Sequence, residues 1–200
     1  MKGMDYLFAP ERYETDGFVL RSYDVGDGPL LADAVNESYE HLRPWMPWAT
    51  PSQSVELSEK LVRQFRARYL LAEDFVIGIF SPDGKRLLGG TGFHLNEGPL
   101  STACAEVGMF LRRTEAGRGL GTRVLRALLQ WGFTDWPWLR LAWRCDQQNL
   151  ASVRVGEKAG LRHEGVLRGQ KAHAGDGRRD TVCYAMTKPD WISTTRPRVP

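Results

Sequence analysis

A glycine-rich turn before an apolar helix is the feature that most constrains this sequence. Gly117, Gly119 and Gly121 alternate along the chain, and the apolar residues that follow them recur with helical spacing. Glycines at a helix start leave backbone N–H groups bare, and the helix dipole makes that end favourable for anions. The spacing fits neither a Gly-Lys-Ser/Thr phosphate loop nor a dinucleotide fingerprint. The pattern predicts either a phosphate or pyrophosphate site, or a flexible strand-to-helix turn.

The composition indicates one globular domain. The 200 residues are 42% hydrophobic and 26% charged, which is enough to bury a core. We expect a single domain over 1–200, with a core of about 18–191 and a loose tail of 192–200. The net charge of +3 and scattered basic residues argue against a nucleic-acid partner. Four arginines near the glycine turn favour a phosphorylated ligand instead: Arg112, Arg113, Arg118 and Arg123.

The cysteines and the N-terminal stretch indicate the cellular compartment in which the protein is expected. Cys104, Cys145 and Cys183 are odd in number and far apart, and neither they nor the dispersed histidines have metal-ligand spacing. The polar N-terminal stretch lacks a signal-peptide core, and no run is long enough to span a membrane. We therefore expect a reduced, cytoplasmic protein with no metal site and no membrane partner. A homodimer stays open.

Apolar periodicity gives the order strand, two helices, three strands, helix, strand, helix, two strands. The predicted strands cover 18–23, 75–81, 87–95, 104–111, 139–145, 161–168 and 181–187. The first helix is predicted over 29–39. The second is predicted over 50–71, with Thr50 as its N-cap and an apolar stripe at Leu57, Leu61, Phe65 and Tyr69. This order predicts a mixed α/β layer around one twisted sheet.

Several stretches resemble the GCN5-related N-acetyltransferase (GNAT) family, especially its RimJ/RimL-like branch. Gly119 and Gly121 match the glycines of the family's pyrophosphate loop, Gln/Arg-x-x-Gly-x-Gly/Ala, whose first position falls on Ala116. Segment 149–161 resembles its Asn-x-x-Ser and Glu-Lys-x-Gly-Phe/Leu block, and segments 42–48 and 104–111 resemble the same branch. The resemblance covers 18–191. It implies a mostly antiparallel sheet of about seven strands with about four helices and a splay between the fourth and fifth strands.

The resemblance implies an acetyl-coenzyme A-dependent N-acetyltransferase with a primary amine as acceptor, most simply a protein N-terminal α-amino group. A small amine or antibiotic, a succinyl donor and a non-catalytic coenzyme A-binding regulator stay open. Pantetheine would lie in the gap between strands 104–111 and 139–145. The implied cofactor-binding residues are Met109, Phe110, Leu111, Ala116, Gly117, Arg118, Gly119, Leu120, Gly121, Thr122, Asn149, Ser152, Arg154 and Lys158.

Glu106 and Ser152 are the candidate catalytic residues. Glu106 faces away from the aliphatic residues of its strand and would deprotonate the amine directly or through water, or else it is an ordinary solvated glutamate. The resemblance implies that Ser152 protonates the leaving thiolate; otherwise it helps Asn149 to cap a helix. The resemblance also implies that a backbone N–H near Met109 or Phe110 stabilises the oxyanion.

Trp45 and Trp48, together with Glu106, are the candidate substrate-binding residues. Prolines beside the two indoles forbid regular helix there. The indoles either line a substrate mouth or pack a loop onto the core. Arg154 and Lys158 lie four residues apart and either approach cofactor phosphates or form a solvated basic face.

Overall fold

The computed structural model describes residues 7–172 and 177–195. Within them, the elements are β1 (Arg12–Thr15), β2 (Phe18–Ser22), α1 (Gly28–Leu42), α2 (Val55–Leu70), β3 (Phe75–Phe80), β4 (Leu87–His94), β5 (Cys104–Leu111), α3 (Leu120–Thr134), β6 (Arg140–Asp146), α4 (Leu150–Ala159), β7 (Arg162–Ala172), β8 (Arg178–Thr187) and α5 (Lys188–Thr195). The strands form one sheet in the order β1-β2-β3-β4-β5-β6-β8-β7. Only β5 and β6 pair in parallel. The predicted fold class is confirmed, with one more strand and one more helix than expected.

The sheet carries a different core on each face. On the α3 face, fully buried aromatic side chains such as Phe93, Trp131 and Trp138 belong to one large cluster. On the other face, Val35 of α1 and Val62 of α2 belong to a smaller cluster. In the described residues, no helix combines the length and the apolar character needed to cross a membrane.

The parallel pair of strands opens into a gap. Pairing runs from Cys104 opposite Arg140 to Val107 opposite Trp143. Beyond that point β5 continues to Leu111 and β6 continues to Asp146, but the described residues show no further pairing between them. The predicted splay between the fourth and fifth strands is thus observed, and it opens at Gly108.

The bounds predicted for the two helices in the first half of the chain differ from the observed ones. Thr50 is not an N-cap, because Ser52 takes a left-handed conformation with φ 58° and interrupts any helix there. The cap of α2 is Ser54, whose hydroxyl accepts a hydrogen bond from the Leu57 N–H at 3.1 Å. Helix α1 runs on to Leu42 instead of stopping at 39, and it ends just before Pro44, which has no backbone N–H to continue the helical hydrogen bonds.

The two ends of the described chain hold elements that the sequence prediction missed. Strand β1 pairs with β2 through a short turn, but its side chains are exposed or half-buried and give little apolar signal. Helix α5 includes residues 192–195, so the expected tail begins too early. Trp191 holds this helix against Phe133 of α3, with ring centroids 5.7 Å apart. The rest of the expected tail, 196–200, lies outside the described residues.

Candidate active site

The glycine turn presents backbone N–H groups at the start of α3. Gly117 and Gly119 have φ angles of 77° and 80°, which glycine adopts without steric cost. Gly119 is the N-cap, and its carbonyl accepts the first helical hydrogen bond, from the Arg123 N–H at 3.2 Å. The N–H groups of the three residues between Gly119 and Arg123 have no carbonyl partner within the helix and point out of its N-terminal end. The turn therefore has the geometry of an anion site.

This helix end lies beside the gap in the sheet. A Cβ atom on Gly121 would lie 3.2 Å from Val155 of α4, 3.5 Å from Leu111 and 3.8 Å from the Met109 sulfur. The start of α3, the middle of α4 and the end of β5 consequently converge. Ala116, at the position where the family pattern has Gln or Arg, is half-buried just before the turn.

One of the four arginines near the turn is occupied elsewhere. Arg112 is 2% exposed and hydrogen-bonds the Leu87 carbonyl at 2.9 Å, Asp33 at 2.6 Å and Glu37. Burial alone would lower the pKa of Arg112, but the hydrogen bonds to Asp33 and Glu37 raise it overall. Arg112 anchors α1 to the sheet, so the expectation that it faces a phosphate is wrong. The remaining three, Arg113, Arg118 and Arg123, are exposed.

Asn149 caps α4 as predicted, and Ser152 takes part through its backbone. The Asn149 Oδ1 atom accepts a hydrogen bond from the Ser152 N–H at 3.1 Å. The Ser152 carbonyl accepts one from the Trp143 indole N–H at 3.2 Å, which fixes α4 on β6. The Ser152 side chain lies beside the Cys145 thiol, whose pKa is raised by burial. Capping therefore does not use the Ser152 hydroxyl.

Arg154 and Lys158 form an exposed basic pair on α4. The Lys158 carbonyl accepts a hydrogen bond from Arg126 of α3, which ties the two helices together. Within the described residues, neither the Arg154 nor the Lys158 side chain has an ion-pair partner.

Glu106 faces away from α3, as predicted, and it is part of a charge network. Its Oε2 atom lies 3.3 Å from Nη1 of Arg144. Nη2 of Arg144 lies 2.6 Å from Glu97 Oε1, a contact close enough for an ion pair but without hydrogen-bond geometry. Beyond it, Arg140 hydrogen-bonds both carboxylate oxygens of Glu164, at 2.7 and 2.6 Å. Glu106 is therefore not an isolated solvated carboxylate.

A cavity of about 580 Å³ lies on the Glu106 face of the sheet, beneath α1 and α2. Its size is that of a small-molecule site. Six of its wall residues are large and mainly apolar: Tyr23, Leu31, Val35, Leu61, Phe65 and Val76. Trp48 also lines it and packs edge-on against Phe110 with ring centroids 5.4 Å apart. Trp45 is half-buried in the same loop and does not line the cavity.

Asp74 and His94 form a polar pair in the same cavity. His94 Nδ1 lies 2.8 Å from Asp74 Oδ1. The imidazole lies over two glycines, since a Cβ atom on Gly92 or Gly108 would come within 3.0 or 3.1 Å of Nε2. Gly108 is also where the gap opens.

The sequence analysis missed this pair and gave the histidines no role. The signal was present in the predicted hairpin of β3 and β4. Its register pairs Phe75 with Phe93, which places the preceding Asp74 opposite the following His94. A one-residue irregularity after Ile79 hides that register from simple counting back from the turn.

Comparisons with known proteins extend the resemblance. The acetyltransferase (GNAT) domain matches residues 18–162. A Bacillus subtilis protein named "Probable N-acetyltransferase YjcK" is 32% identical over 116 residues, 58% of this chain, and the match spans only 63% of that protein. The ribosomal protein uS5-alanine N-acetyltransferase of Escherichia coli is 26% identical over 184 residues, which cover 90% of this chain and 92% of that protein.

Solved structures share the fold. A RimL ribosomal L7/L12 alpha-N-protein acetyltransferase in complex with coenzyme A has a TM-score of 0.79 at 22% identity, covering 88% of this chain and 98% of that one. The microcin C7 self-immunity acetyltransferase MccE, in complex with acetyl-coenzyme A and AMP, has a TM-score of 0.77 at 17% identity, covering 86% and 93%. The predicted enzyme class, N-acetyltransferase, and the predicted cofactor, acetyl-coenzyme A, are confirmed at the level of the family. The domain match covers well over half of this chain. The chain therefore belongs to the GNAT acetyltransferase family.

Proposed function

We propose that the protein transfers an acetyl group from acetyl-coenzyme A to a primary amine, with donor and acceptor meeting at the gap between β5 and β6. The observation that carries this proposal is the position of Gly108. It begins the unpaired part of β5 and also lines the cavity. The same strand ends beside the bare N–H groups of α3. One strand thus connects an anion site to a cavity of substrate size.

On the donor side, the pyrophosphate would sit on the backbone N–H groups of the glycine turn. Pantetheine would pair with the free edge of β5 as an added strand, beside Asn149. Arg154 and Lys158 would approach the phosphates of the adenosine end. Ala116 offers no side-chain donor, so in this proposal the turn holds the phosphate through its backbone.

Acyl transfer needs stabilisation of an oxyanion and a proton for the departing thiolate. A β5 backbone N–H near Met109 or Phe110 would meet the oxyanion. The Ser152 hydroxyl, which capping leaves unused, would protonate the thiolate. Glu106 stays a predicted base, although accepting a proton would break its ion pair with Arg144.

We infer acetyl as the acyl group and the α-amino group of a protein N-terminus as the acceptor. A succinyl carboxylate would need a free arginine, whereas Arg144, which follows the last paired residue of β6, is paired with Glu97 and Glu106. The N-terminal acceptor is supported by the relatives named for uS5-alanine and L7/L12 acetylation. A cytoplasmic location, a possible homodimer and the lack of a nucleic-acid partner stay predictions.

Calorimetric titration with acetyl-coenzyme A, succinyl-coenzyme A, free coenzyme A, ATP and NAD tests the donor. Saturable binding of coenzyme A species, with acetyl transfer to amines, supports the proposal. Ser152→Ala should slow transfer and leave donor affinity nearly unchanged. Binding without any turnover would leave a coenzyme A-binding regulator, and no binding of any coenzyme A species would contradict the proposal.

A further inference from the structure

Resting on the proposed function, we propose that the cavity binds an acceptor amine that carries an apolar group of about aromatic size. His94, held by Asp74, takes the proton from its ammonium group. The glycine-lined floor of the cavity and its apolar walls point to this assignment together.

The walls define the class of acceptor. Asp74 is the only carboxylate among the described residues that line the cavity, and most of the other lining residues are aliphatic or aromatic. Burial raises the pKa of Tyr23, so this wall residue stays a neutral phenol. A second ammonium would lose hydration in the cavity without a second carboxylate to pair with. The cavity therefore suits one amine with an apolar body, and it does not suit a polyamine.

The hydrogen bond to Asp74 sets the chemistry of His94. A carboxylate can only accept, so the proton of the neutral imidazole lies on Nδ1. Nε2 then carries a lone pair, and no described residue hydrogen-bonds it. This is the arrangement in which a third group orients a general base.

The position of Nε2 places this base at the reaction centre. It lies 3.1 Å from where a Cβ atom on Gly108 would be, and Gly108 opens the gap meant for the thioester. Glycine is required at Gly92, where a Cβ atom would lie 2.6 Å from the Phe75 carbonyl oxygen and 2.9 Å from the imidazole, and at Gly108 a Cβ atom would crowd the ring at 3.1 Å. The strand backbone thus lets the ring lie directly over the gap.

Glu106, the base expected from the sequence, is the cross-strand neighbour of His94. Its side chain points to the same face, but it faces Arg144. We therefore assign proton acceptance to His94. The groups that face His94 are Asp74 before β3 and Glu106 on β5, while α1 and α2 face the cavity with apolar residues.

Acetyl transfer proceeds by proton removal from the amine, attack on the thioester and collapse of a tetrahedral intermediate. His94 Nε2 removes one proton from the ammonium, and the free nitrogen lone pair forms a bond to the thioester carbonyl carbon, whose π electrons move to oxygen. His94 releases that proton to solvent and then accepts the second nitrogen proton from the tetrahedral intermediate. The electrons on oxygen re-form the carbonyl as the C–S bond breaks with its electrons on sulfur. The thiolate takes a proton from the Ser152 hydroxyl, which is reprotonated from solvent, and His94 releases the second proton to solvent. The products are the amide and coenzyme A thiol.

The acceptor class is tested with four amines at a fixed acetyl-coenzyme A concentration. Two carry an aromatic group, 2-phenylethylamine and a peptide that begins with phenylalanine. The other two, spermidine and a peptide that begins with serine, do not. We expect kcat/KM to be at least about tenfold higher for one or both aromatic amines. The higher of the two values for the aromatic amines shows whether the cavity accepts a free aromatic amine or the N-terminus of a peptide. Higher values for spermidine or the serine peptide would overturn the acceptor class.

Filling the cavity gives an independent test of its occupant. Leu61→Trp should raise KM for the preferred aromatic amine by more than about tenfold and change it little for ethylamine. The melting temperature and acetyl-coenzyme A affinity of the variant show that it is folded. An unchanged KM in folded Leu61→Trp would mean that the acceptor binds elsewhere.

The base is tested by substitution and rescue. His94→Ala should lower kcat by about 100-fold or more without changing acetyl-coenzyme A affinity, and added imidazole should restore part of the rate. Asp74→Asn should lower kcat more than it raises KM, and Asp74→Glu should recover part of the loss. His163→Gln is the matched control, because His163 packs on Tyr184 of β8, outside the cavity.

The outcomes separate the two proposals. If wild type acetylates amines at a rate that His94→Ala leaves unchanged, the role of His94 is wrong and the transferase function stands. If Glu106→Gln abolishes transfer and His94→Ala does not, the base is Glu106. Absence of acetyl-coenzyme A binding by the wild type would instead contradict the proposed function itself.

Discussion

The two faces of the sheet are built differently. On the α3 face, aromatic rings fill the space between sheet and helix: Trp136 lies 4.9 Å from Phe75, 5.0 Å from Phe93 and 5.4 Å from Trp131, measured between ring centroids. On the α1–α2 face, the central strands carry glycines beneath rings. A Cβ atom on Gly90, for example, would lie only 2.4 Å from the ring of Phe110, and the cavity lies above.

The difference shows how one sheet supports both stability and chemistry. Close packing on the α3 face buries large side chains that contribute most to the free energy of unfolding. Glycines on the other face remove side-chain volume where a substrate needs space. The gap at Gly108 crosses from one face to the other, so a donor held on the α3 side can react with an acceptor in the cavity.

Truncation of one large side chain on each face should have very different effects. Trp131→Ala should lower the free energy of unfolding by about 3–5 kcal/mol, because a fully buried ring leaves a hole in a packed cluster. Phe65→Ala should cost less than half as much, since Phe65 is half-buried and already borders a cavity. Urea unfolding of both variants measures the two values. Equal losses would show that the two faces are packed alike.

Replacing a glycine of positive φ in the donor turn should weaken acetyl-coenzyme A binding. Gly119→Ala keeps φ near 80° only at a cost of about 1–2 kcal/mol, so the bare N–H groups should move and acetyl-coenzyme A affinity should fall about tenfold. Gly84→Ala is the matched control, because its φ of 72° and open surroundings are similar but it lies in the turn between β3 and β4. Calorimetry gives both affinities. Unchanged binding by Gly119→Ala would remove the turn from the donor site.

The ion pairs that hold α1 over the cavity should be sensitive to acid. Burial alone would raise the pKa of Glu37, but hydrogen bonds from Arg112 and Thr114 lower it overall. A lowered folded-state pKa gives stability that is present above the ordinary glutamate value and is lost as pH falls through the folded-state value. Glu37→Gln should therefore cost about 1 kcal/mol at pH 7 and less below about pH 4. Thermal unfolding at several pH values tests this, and a difference that grows in acid would contradict it.

Restoring the side chain that the family loop pattern expects should have the smallest effect. Ala116→Arg adds a donor at a half-exposed position, where a new ion pair contributes about 1 kcal/mol or less. Acetyl-coenzyme A affinity should rise by no more than about fivefold. A much larger gain would mean that the backbone of the turn contributes little to donor binding.

Sequence patterns predicted the α3 side of the molecule well. The glycine turn, the strand with Glu106 and the helix capped by Asn149 depend on contacts between near neighbours, and each is found where it was expected. Local hydrogen bonds and periodicity are what a sequence displays directly.

The acceptor side was predicted less well because its features depend on distant pairings. Leu61 and Phe65 read as a stripe facing a filled core, yet they line a cavity, and periodicity does not distinguish the two. Asp74 and His94 meet only through a strand register with an irregularity in it. Arg112 resembled a phosphate ligand until its partners on α1 were known.

Donor and acceptor bind on opposite sides of the gap in this proposal, and one calorimetric comparison tests that arrangement. Acetyl-coenzyme A is titrated into wild type, Gly119→Ala and Leu61→Trp. We expect weaker donor binding for Gly119→Ala and wild-type binding for Leu61→Trp, whose new indole fills the cavity. Loss of acetyl-coenzyme A binding in Leu61→Trp with unchanged binding in Gly119→Ala would contradict it, because the cavity would then be the cofactor site.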